Sequence, residues 1–363
     1  MIRESYFPKA VGFDEAGRIR RFETRDIVRR LGVISPDRVF INNYPIACPV
    51  AVFNPTLMII GKNAVLYARM VLGYFMYASA VVTMEVPLDD ILDGGVNINY
   101  YSAQTVIYPS TRYDMWGCED PRVYEVNGKA LMTYTGRSVN YFNPAVRRER
   151  TLPLTVVKGR NHRVWFKKYV HVMHRELRDH VVSDKDAFIA ILSGKSFIYH
   201  RPHMDDEVYY LTVSEVGLPE PYENGQVVEV ESLNTKWVLP HTGFEKKIGW
   251  SVPLLKLRDD SLVTLIHGID KELEVYRVFA AQLRYSKNDG VVVEAVTPTY
   301  VMEPQTPYEL FGDRPYTIFP CGAWVLDSNT VLLSYGSADF MIGVGSLDIP
   351  ELLGELDKGR IYI

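Results

Sequence analysis

The sequence predicts an all-β fold, a five-bladed β-propeller with short helical extensions at its N- and C-termini. Three observations predict it. Five segments share one plan, in which an apolar strand, a polar turn of two or three residues and a second strand follow one another. Their turns recur at a nearly constant interval. Helical periodicity is scarce, and each interval has room for further short strands.

The segments are NPTLMIIGKNAVLYARM from Asn54, DPRVYEVNGKALMTYTG from Asp120 and DAFIAILSGKSFIYHRP from Asp186. VPLLKLRDDSLVTLIHG from Val252 and CGAWVLDSNTVLLSYGS from Cys321 complete the set. Asn127-Gly128 and Ser193-Gly194 are hairpin turn signals between Val-, Ile-, Leu- and Tyr-rich runs. The starts Asn54, Asp120 and Asp186 lie 66 residues apart. The turn residues Gly61, Asn127, Ser193, Asp260 and Ser328 are separated by 66, 66, 67 and 68. Five such units account for roughly 330 residues, most of the chain. A plain β-sandwich gives no reason for that period. Further strands are expected over Tyr74 to Met84, Thr151 to Val157, Val208 to Val213 and Val275 to Leu283. The whole chain, 1–363, therefore reads as one domain. Residues 1–48 form an extension with a short helix over Thr24 to Leu31, packing on the ring or helping to close it. Residues 347–363 form a tail that opens on a helix over Leu347 to Leu356.

Composition bounds the function classes. Hydrophobic residues make up 47% and charged residues 23%, enough apolar surface for a large core. A net charge of −4 gives no general attraction to nucleic acid or anionic membranes. Three scattered cysteines, Cys48, Cys118 and Cys321, form neither a disulfide framework nor a zinc spacing. The opening MIRESYFPKA lacks an apolar core, so no signal peptide is expected. The apolar run from Val65 to Val82 is broken by Arg69, Gly73 and tyrosines and does not read as a membrane span. A cytoplasmic location is the expectation.

Repeat phase points to a site. Asn54, Asp120 and Asp186 each precede their turn by seven residues, so they should ring one mouth of the central channel. Hairpin geometry returns Arg69, His200, Arg201, His267 and Asp339 to the same rim. A polar ring around a concave opening is the natural place for a ligand. Any one of these residues, alone, reads as an ordinary turn or strand-end residue.

The stretch Gly117-Cys118-Glu119-Asp120-Pro121-Arg122-Val123 resembles the G-x-E-D-P-R signature of glycoside hydrolase family 130. Phe53-Asn54-Pro55, Leu66-Tyr67-Ala68-Arg69, Met132-Thr133-Tyr134-Thr135, Lys185-Asp186-Ala187 and His200-Arg201-Pro202 resemble further family elements in the same order. So do Lys247-Ile248-Gly249 with Pro253, Ile266-His267-Gly268, Phe319-Pro320-Cys321-Gly322 and Tyr335-Gly336-Ser337-Ala338-Asp339. The likeness spans roughly Val52 to Gly345. It implies a five-bladed propeller that cleaves β-mannosides, in most members by inverting phosphorolysis and in some by hydrolysis.

That resemblance makes Asp120 the general acid and assigns mannosyl binding to Asn54, Arg69 and Asp339, with Asp186 and His267 beside them as substrate-binding candidates. Glu119 should point the other way along its strand and pair with a neighbour such as Arg122. Anionic phosphate needs no general base, unlike water in an ordinary inverting glycosidase. It needs cations on the opposite face of the sugar. Arg150, or in its place Arg147 or Arg148, and Lys168, Lys185 and His200 are the phosphate candidates. A second family arginine is absent near Trp165-Phe166-Lys167-Lys168.

The leading expectation is an inverting β-mannoside phosphorylase that converts a β-mannooligosaccharide or mannosyl-glucose and inorganic phosphate into α-mannose 1-phosphate. Its alternatives are an inverting β-mannosidase, with Glu245 as candidate base, and a non-catalytic propeller that binds sugar or protein. No cofactor beyond co-substrate phosphate and no metal is implied. His171, His174 and His180, with Glu176 and Asp179, read as a solvated insertion. Family members often associate, which makes a homo-oligomer possible, but the oligomeric state is not legible. The linkage and the leaving sugar are not legible.

Overall fold

A computed structural model describes residues 5–73, 77–140, 142–217 and 227–362. After a helix at Phe13–Ile19, the chain enters strands β1 (Val28–Ile34) and β2 (Val39–Ile41). Five antiparallel units follow. The first comprises β3 (Ala51–Ile60), β4 (Asn63–Gly73), β5 (Ala78–Pro87) and β6 (Tyr101–Ile107). The second has β7 (Cys118–Val126), β8 (Lys129–Arg137), β9 (Thr151–Lys158) and β10 (Trp165–Met173). The third has β11 (Val181–Leu192), β12 (Lys195–Met204), β13 (Leu211–Val216) and β14 (Val228–Leu239). The fourth has β15 (Glu245–Arg258), β16 (Ser261–Asp270), β17 (Tyr276–Ser286) and β18 (Gly290–Val296). The fifth has β19 (Ile318–Val325), β20 (Thr330–Ser337) and β21 (Met341–Asp348), and a C-terminal helix covers Ile349–Lys358.

Each unit is a meander whose first two strands are the predicted hairpin. Both residues of the Asn127-Gly128 and Ser193-Gly194 turns have positive φ, the twist that matches right-handed strands. The second and third units are joined into one sheet by parallel pairing of β10 with β14. First strands touch in succession, β3 on β7, β7 on β11, β11 on β15 and β15 on β19, and β19 returns to β3.

The apolar core lies between neighbouring units. Phe188 stacks on Tyr199 at 4.5 Å, and Trp250 of the next unit meets Tyr199 edge-on at 5.2 Å. Each fully buried aromatic of this kind contributes about 2–3 kcal/mol of apolar transfer.

The N-terminal expectation needs correction. Thr24 to Leu31 forms no helix, because Val28 and Ile34 alternate inward and β1 pairs antiparallel with β21. This supplies the fifth unit with its fourth strand. The strand expected from Tyr74 begins at Ala78 in the described chain, and Tyr74 to Met76 lie outside the described residues. No described helix is long and apolar enough to cross a membrane.

Candidate active site

The repeat places one special residue at the head of each of the first three units. Asn54, Asp120 and Asp186 have φ of 49, 51 and 57°, and the strand register shifts at each of them. Asn and Asp tolerate this left-handed conformation better than other non-glycine residues. The resulting bulge turns the side chain off the pleat and inward. Backbone strain repeated three times at one mouth marks a built site.

Asn54, Arg69, Asp120, Lys185, Asp186, Arg201, His267 and Asp339 line a single cavity of about 250 Å³. Of the rim residues expected from the sequence, His200 alone is not among its lining. Glu119, Tyr77, Tyr209, Lys247, Tyr276, Arg314 and Phe319 join them.

Asp120 Oδ1 accepts a 2.7 Å hydrogen bond from Asn54 Nδ2 and a 3.3 Å one from Arg69 Nη1. Below it, Arg122 is buried and donates to three backbone carbonyls, those of Asp120 (3.0 Å), Trp250 (3.0 Å) and Ser251 (2.5 Å). The Asp-Pro-Arg run thus ties the backbone of Asp120 to β15.

Glu119 departs from the expectation. It does not turn away to pair with Arg122. Its Oε1 meets Arg69 Nη2 at 3.0 Å and Arg137 Nη1 at 3.5 Å, and its Oε2 accepts from Lys185 Nζ at 3.0 Å. The bulge between Glu119 and Arg122 breaks the alternation that would have separated Glu119 from Asp120.

Asp186 is held by Arg201 Nη1 at 3.0 Å, with His267 Nε2 at 3.5 Å and Arg122 Nη2 at 3.6 Å. Burial alone would raise its carboxyl, but Arg201, His267 and Arg122 outweigh burial and keep it well below the usual range. Burial lowers His267 to about 4 despite Asp186. Burial, then Arg201 and Arg314, push Lys247 down to about 7. Asp339 moves the opposite way. Burial, with Asp120 and Asp313 adding repulsion, raises it to about 6 against the pull of Arg69 and Arg314. Asp339 is the cavity carboxyl for which no described residue supplies a hydrogen bond or ion pair.

Two glycines make room for these groups. A Cβ on Gly336 would meet Asn54 Oδ1 at 1.7 Å, and one on Gly249 would meet Asp186 Oδ2 and His267 Nε2 at 2.4 Å.

The expected phosphate residues divide. Lys185 reaches the cavity. Arg150 lines an adjoining hollow of about 250 Å³ that shares Ser183 and Lys185 with it and also holds Arg137 and His203. Arg148 pairs with Asp179 in solvent. Lys168 is turned aside, its Nζ bound by Asp114 Oδ2 at 2.7 Å and Ser110 Oγ at 2.6 Å. His200 is fully buried, with Nδ1 on Asp184 at 2.6 Å and Nε2 on Ser214 at 2.7 Å. Strand parity explains this. Arg201 and His203 share one face of β12, and His200 takes the other.

Glu245 is also corrected. It is completely buried, clamped by Arg20 at 2.7 Å and by Tyr300 at 2.7 Å, outside the cavity lining. His171 is no loop residue, since it is buried in β10 with Nε2 on Thr155 at 2.8 Å. Among the described residues no group of three metal-ligating side chains assembles.

The glycoside hydrolase family 130 model, described as β-1,4-mannooligosaccharide phosphorylase, matches residues 18–358. The chain belongs to this family. A β-1,2-mannobiose phosphorylase of Thermoanaerobacter sp. (strain X514) is 25% identical over 327 residues, covering 85% of this chain and 96% of the relative. The solved β-1,2-mannobiose phosphorylase of Listeria innocua, in complex with β-1,2-mannobiose, superposes with a TM-score of 0.65 at 18% identity. That match covers 91% of this chain and 99% of the other. A second solved structure belongs to work on family 130 glycoside hydrolases that target β-1,2-mannosidic linkages in Candida mannan. It aligns with a TM-score of 0.57 at 19% identity, over 91% of this chain and 95% of the other. At such identities these two structures speak for the fold alone.

Proposed function

We propose that this family 130 chain is an inverting β-mannoside phosphorylase, and that its five meanders are the blades of a five-bladed propeller. The cyclic contact of the first strands supports the blade reading. One observation carries the activity. A carboxyl fixed through a single oxygen, Asp120 Oδ1, stands in a cavity whose remaining wall is rich in cations, with Lys185, Arg201, Lys247 and Arg314 among them.

The chemistry follows from that arrangement. A mannosyl unit sits among Asn54, Arg69, Asp120 and Asp339, whose short polar groups match sugar hydroxyls. Asp120 gives its proton, by way of a mannosyl hydroxyl, to the departing glycosidic oxygen. Phosphate attacks the anomeric carbon from the opposite face as the C–O bond breaks, which inverts the centre and yields α-mannose 1-phosphate. Being anionic already, phosphate requires no base. Lys185, with Arg137, Arg150 and His203 of the adjoining hollow, is the group we assign to hold it.

Family and relatives differ in their linkages, 1,4 for the family model and 1,2 for the relative. The substrate class that follows is a β-mannooligosaccharide or mannosyl-glucose of either linkage. Hydrolysis is the second reading, and Asp339 is the observation for it. With Glu245 sequestered, Asp339 is the cavity carboxyl left to activate water.

The test is incubation of the protein with β-1,2-, β-1,3- and β-1,4-mannobiose and mannosyl-glucose, with and without phosphate, assayed for mannose 1-phosphate. Phosphate-dependent mannose 1-phosphate is the expected result. Free mannose formed equally without phosphate would replace phosphorolysis by hydrolysis. Sugar binding without turnover would reduce the protein to a binding module.

A further inference from the structure

Glu119 has no assigned part in the reaction just described, yet its carboxylate is held at the centre of the site's cations. It is fully buried, and three cations from three strands converge on it. Arg69 comes from β4, Arg137 from β8 and Lys185 from β11. Arg69 is shared. One guanidinium nitrogen lies 3.0 Å from Glu119 and the other 3.3 Å from Asp120. Lys185 also lines the adjoining hollow assigned above to phosphate. Among the described residues, Glu119 is therefore the carboxylate in direct contact with both the arginine beside Asp120 and the lysine assigned to the nucleophile.

We propose that Glu119 is a positioning residue that couples the two halves of the reaction, drawing Arg69 off Asp120 while anchoring Lys185 and Arg137 on the phosphate side. The proposal rests on the phosphorylase reading for the role of Lys185, but its effect on the acid does not.

The physical argument is electrostatic. A general acid has to keep its proton until the leaving oxygen takes it, and a neighbouring arginine favours proton loss. A buried carboxylate on the same arginine offsets that pull. Among the described residues, the other charged or titratable groups around Asp120 are Arg122 of its own strand, Asp339 beyond β20 and the buried thiol of Cys321 on β19. Around Glu119 the described ones include the three cations already named and the buried thiol of Cys118 beside it on β7. Removing the Glu119 charge takes one carboxylate off the shared Arg69 and leaves that guanidinium to act more strongly on Asp120, so the acid surrenders its proton at lower pH.

The experiment compares pH profiles of kcat/KM for Glu119→Gln, Glu119→Asp and wild type on a cleaved β-mannobiose, with phosphate KM and thermal melting measured alongside. The alkaline limb is expected to move down by about one pH unit in Glu119→Gln. Glu119→Asp keeps the charge but draws it back by one methylene, so its limb moves the same way by less, and phosphate KM rises in both. An unmoved limb with a uniform fall in kcat would reduce Glu119 to a structural ion pair and overturn the proposal. If Glu119→Gln does not fold, an unmoved limb in Glu119→Asp overturns it equally. Should the wild type prove a hydrolase, the same limb is read on mannose release. The coupling to Asp120 is thus judged separately from the phosphorylase reading.

Discussion

Asn54 Nδ2 donates a 2.7 Å hydrogen bond to Asp120 Oδ1, joining equivalent positions of neighbouring units across 66 residues of chain. The two side chains meet because each sits on a left-handed bulge at the head of its unit. One carboxylate oxygen is fixed by that amide, and the other is left for chemistry. Replacement of Asp120 by Asn should lower turnover by about 10²–10⁴-fold, the span of general acid catalysis, with the melting temperature nearly unchanged. Rate and melting curve measured together check this. Retained turnover would remove Asp120 as the acid.

Gly336 leaves the space that Asn54 occupies. In Gly336→Ala the new methyl collides with Asn54 Oδ1, so the amide must leave Asp120. A fall in kcat of about 10- to 100-fold is expected, with a stability loss of about 1–3 kcal/mol. Denaturant unfolding beside steady-state kinetics separates the two effects. A variant that keeps full kcat would show that Asn54 does not orient the acid.

Asp339 carries a folded-state cost that Asn would not. Its carboxyl is raised from 3.8 to about 6, so the folded state binds more protons than the unfolded state between those values, and its stability falls as pH rises through them. Asp339→Asn should melt higher than wild type at pH 7 to 8, with the difference vanishing near pH 4. Its activity should fall at least tenfold if that carboxylate holds the mannosyl unit as proposed. Equal melting at both pH values would contradict the assignment.

Lys247 has the opposite sign. Its ammonium is depressed from 10.5 to about 7, so between these values the unfolded chain binds the extra proton and wild-type stability rises with pH. Lys247→Met should lack that rise. Melting curves from pH 6.5 to 9.5 for both proteins decide it, and parallel curves would place Lys247 in a more open setting than the cavity wall.

His200 separates structure from chemistry. Its ring is enclosed by Asp184 and Ser214, so His200→Ala should cost on the order of 3 kcal/mol and leave the phosphate KM of the folded protein within about twofold. In His203→Ala the phosphate KM should instead rise about tenfold or more. Phosphate saturation curves for the two variants reverse the assignment if the order is inverted.

These cases show how far the sequence could be read. The period of 66 residues and the polar starts Asn54, Asp120 and Asp186 are visible because repeated hairpins must place equivalent side chains alike. Strand parity around a bulge is not legible in the sequence. The motif His200-Arg201-Pro202-His203 offers two histidines, and only the one two residues from Arg201 shares its face. Glu119 is hidden for a related reason, since the bulge between Glu119 and Arg122 suspends strand alternation. Arg314 and Tyr77 enter from connections outside the repeat, where no phase predicts position. Lys247 lay within a recognised stretch, Lys247-Ile248-Gly249, but a lysine heading a strand looks like any solvated one until Arg201 and Arg314 are seen around it. Thr24 to Leu31 misled because β1 has its partner, β21, at the far end of the chain.

That last pairing has a consequence for biosynthesis. Synthesis is vectorial, so β1 is made long before β21 exists, and until then both β1 and the last-formed sheet offer unpaired backbone. Contacts so distant in sequence are slow to form, and their waiting edges invite pairing with other chains. A truncation that removes β1 would leave β21 as a permanent open edge, and self-association rather than simple unfolding would be its outcome.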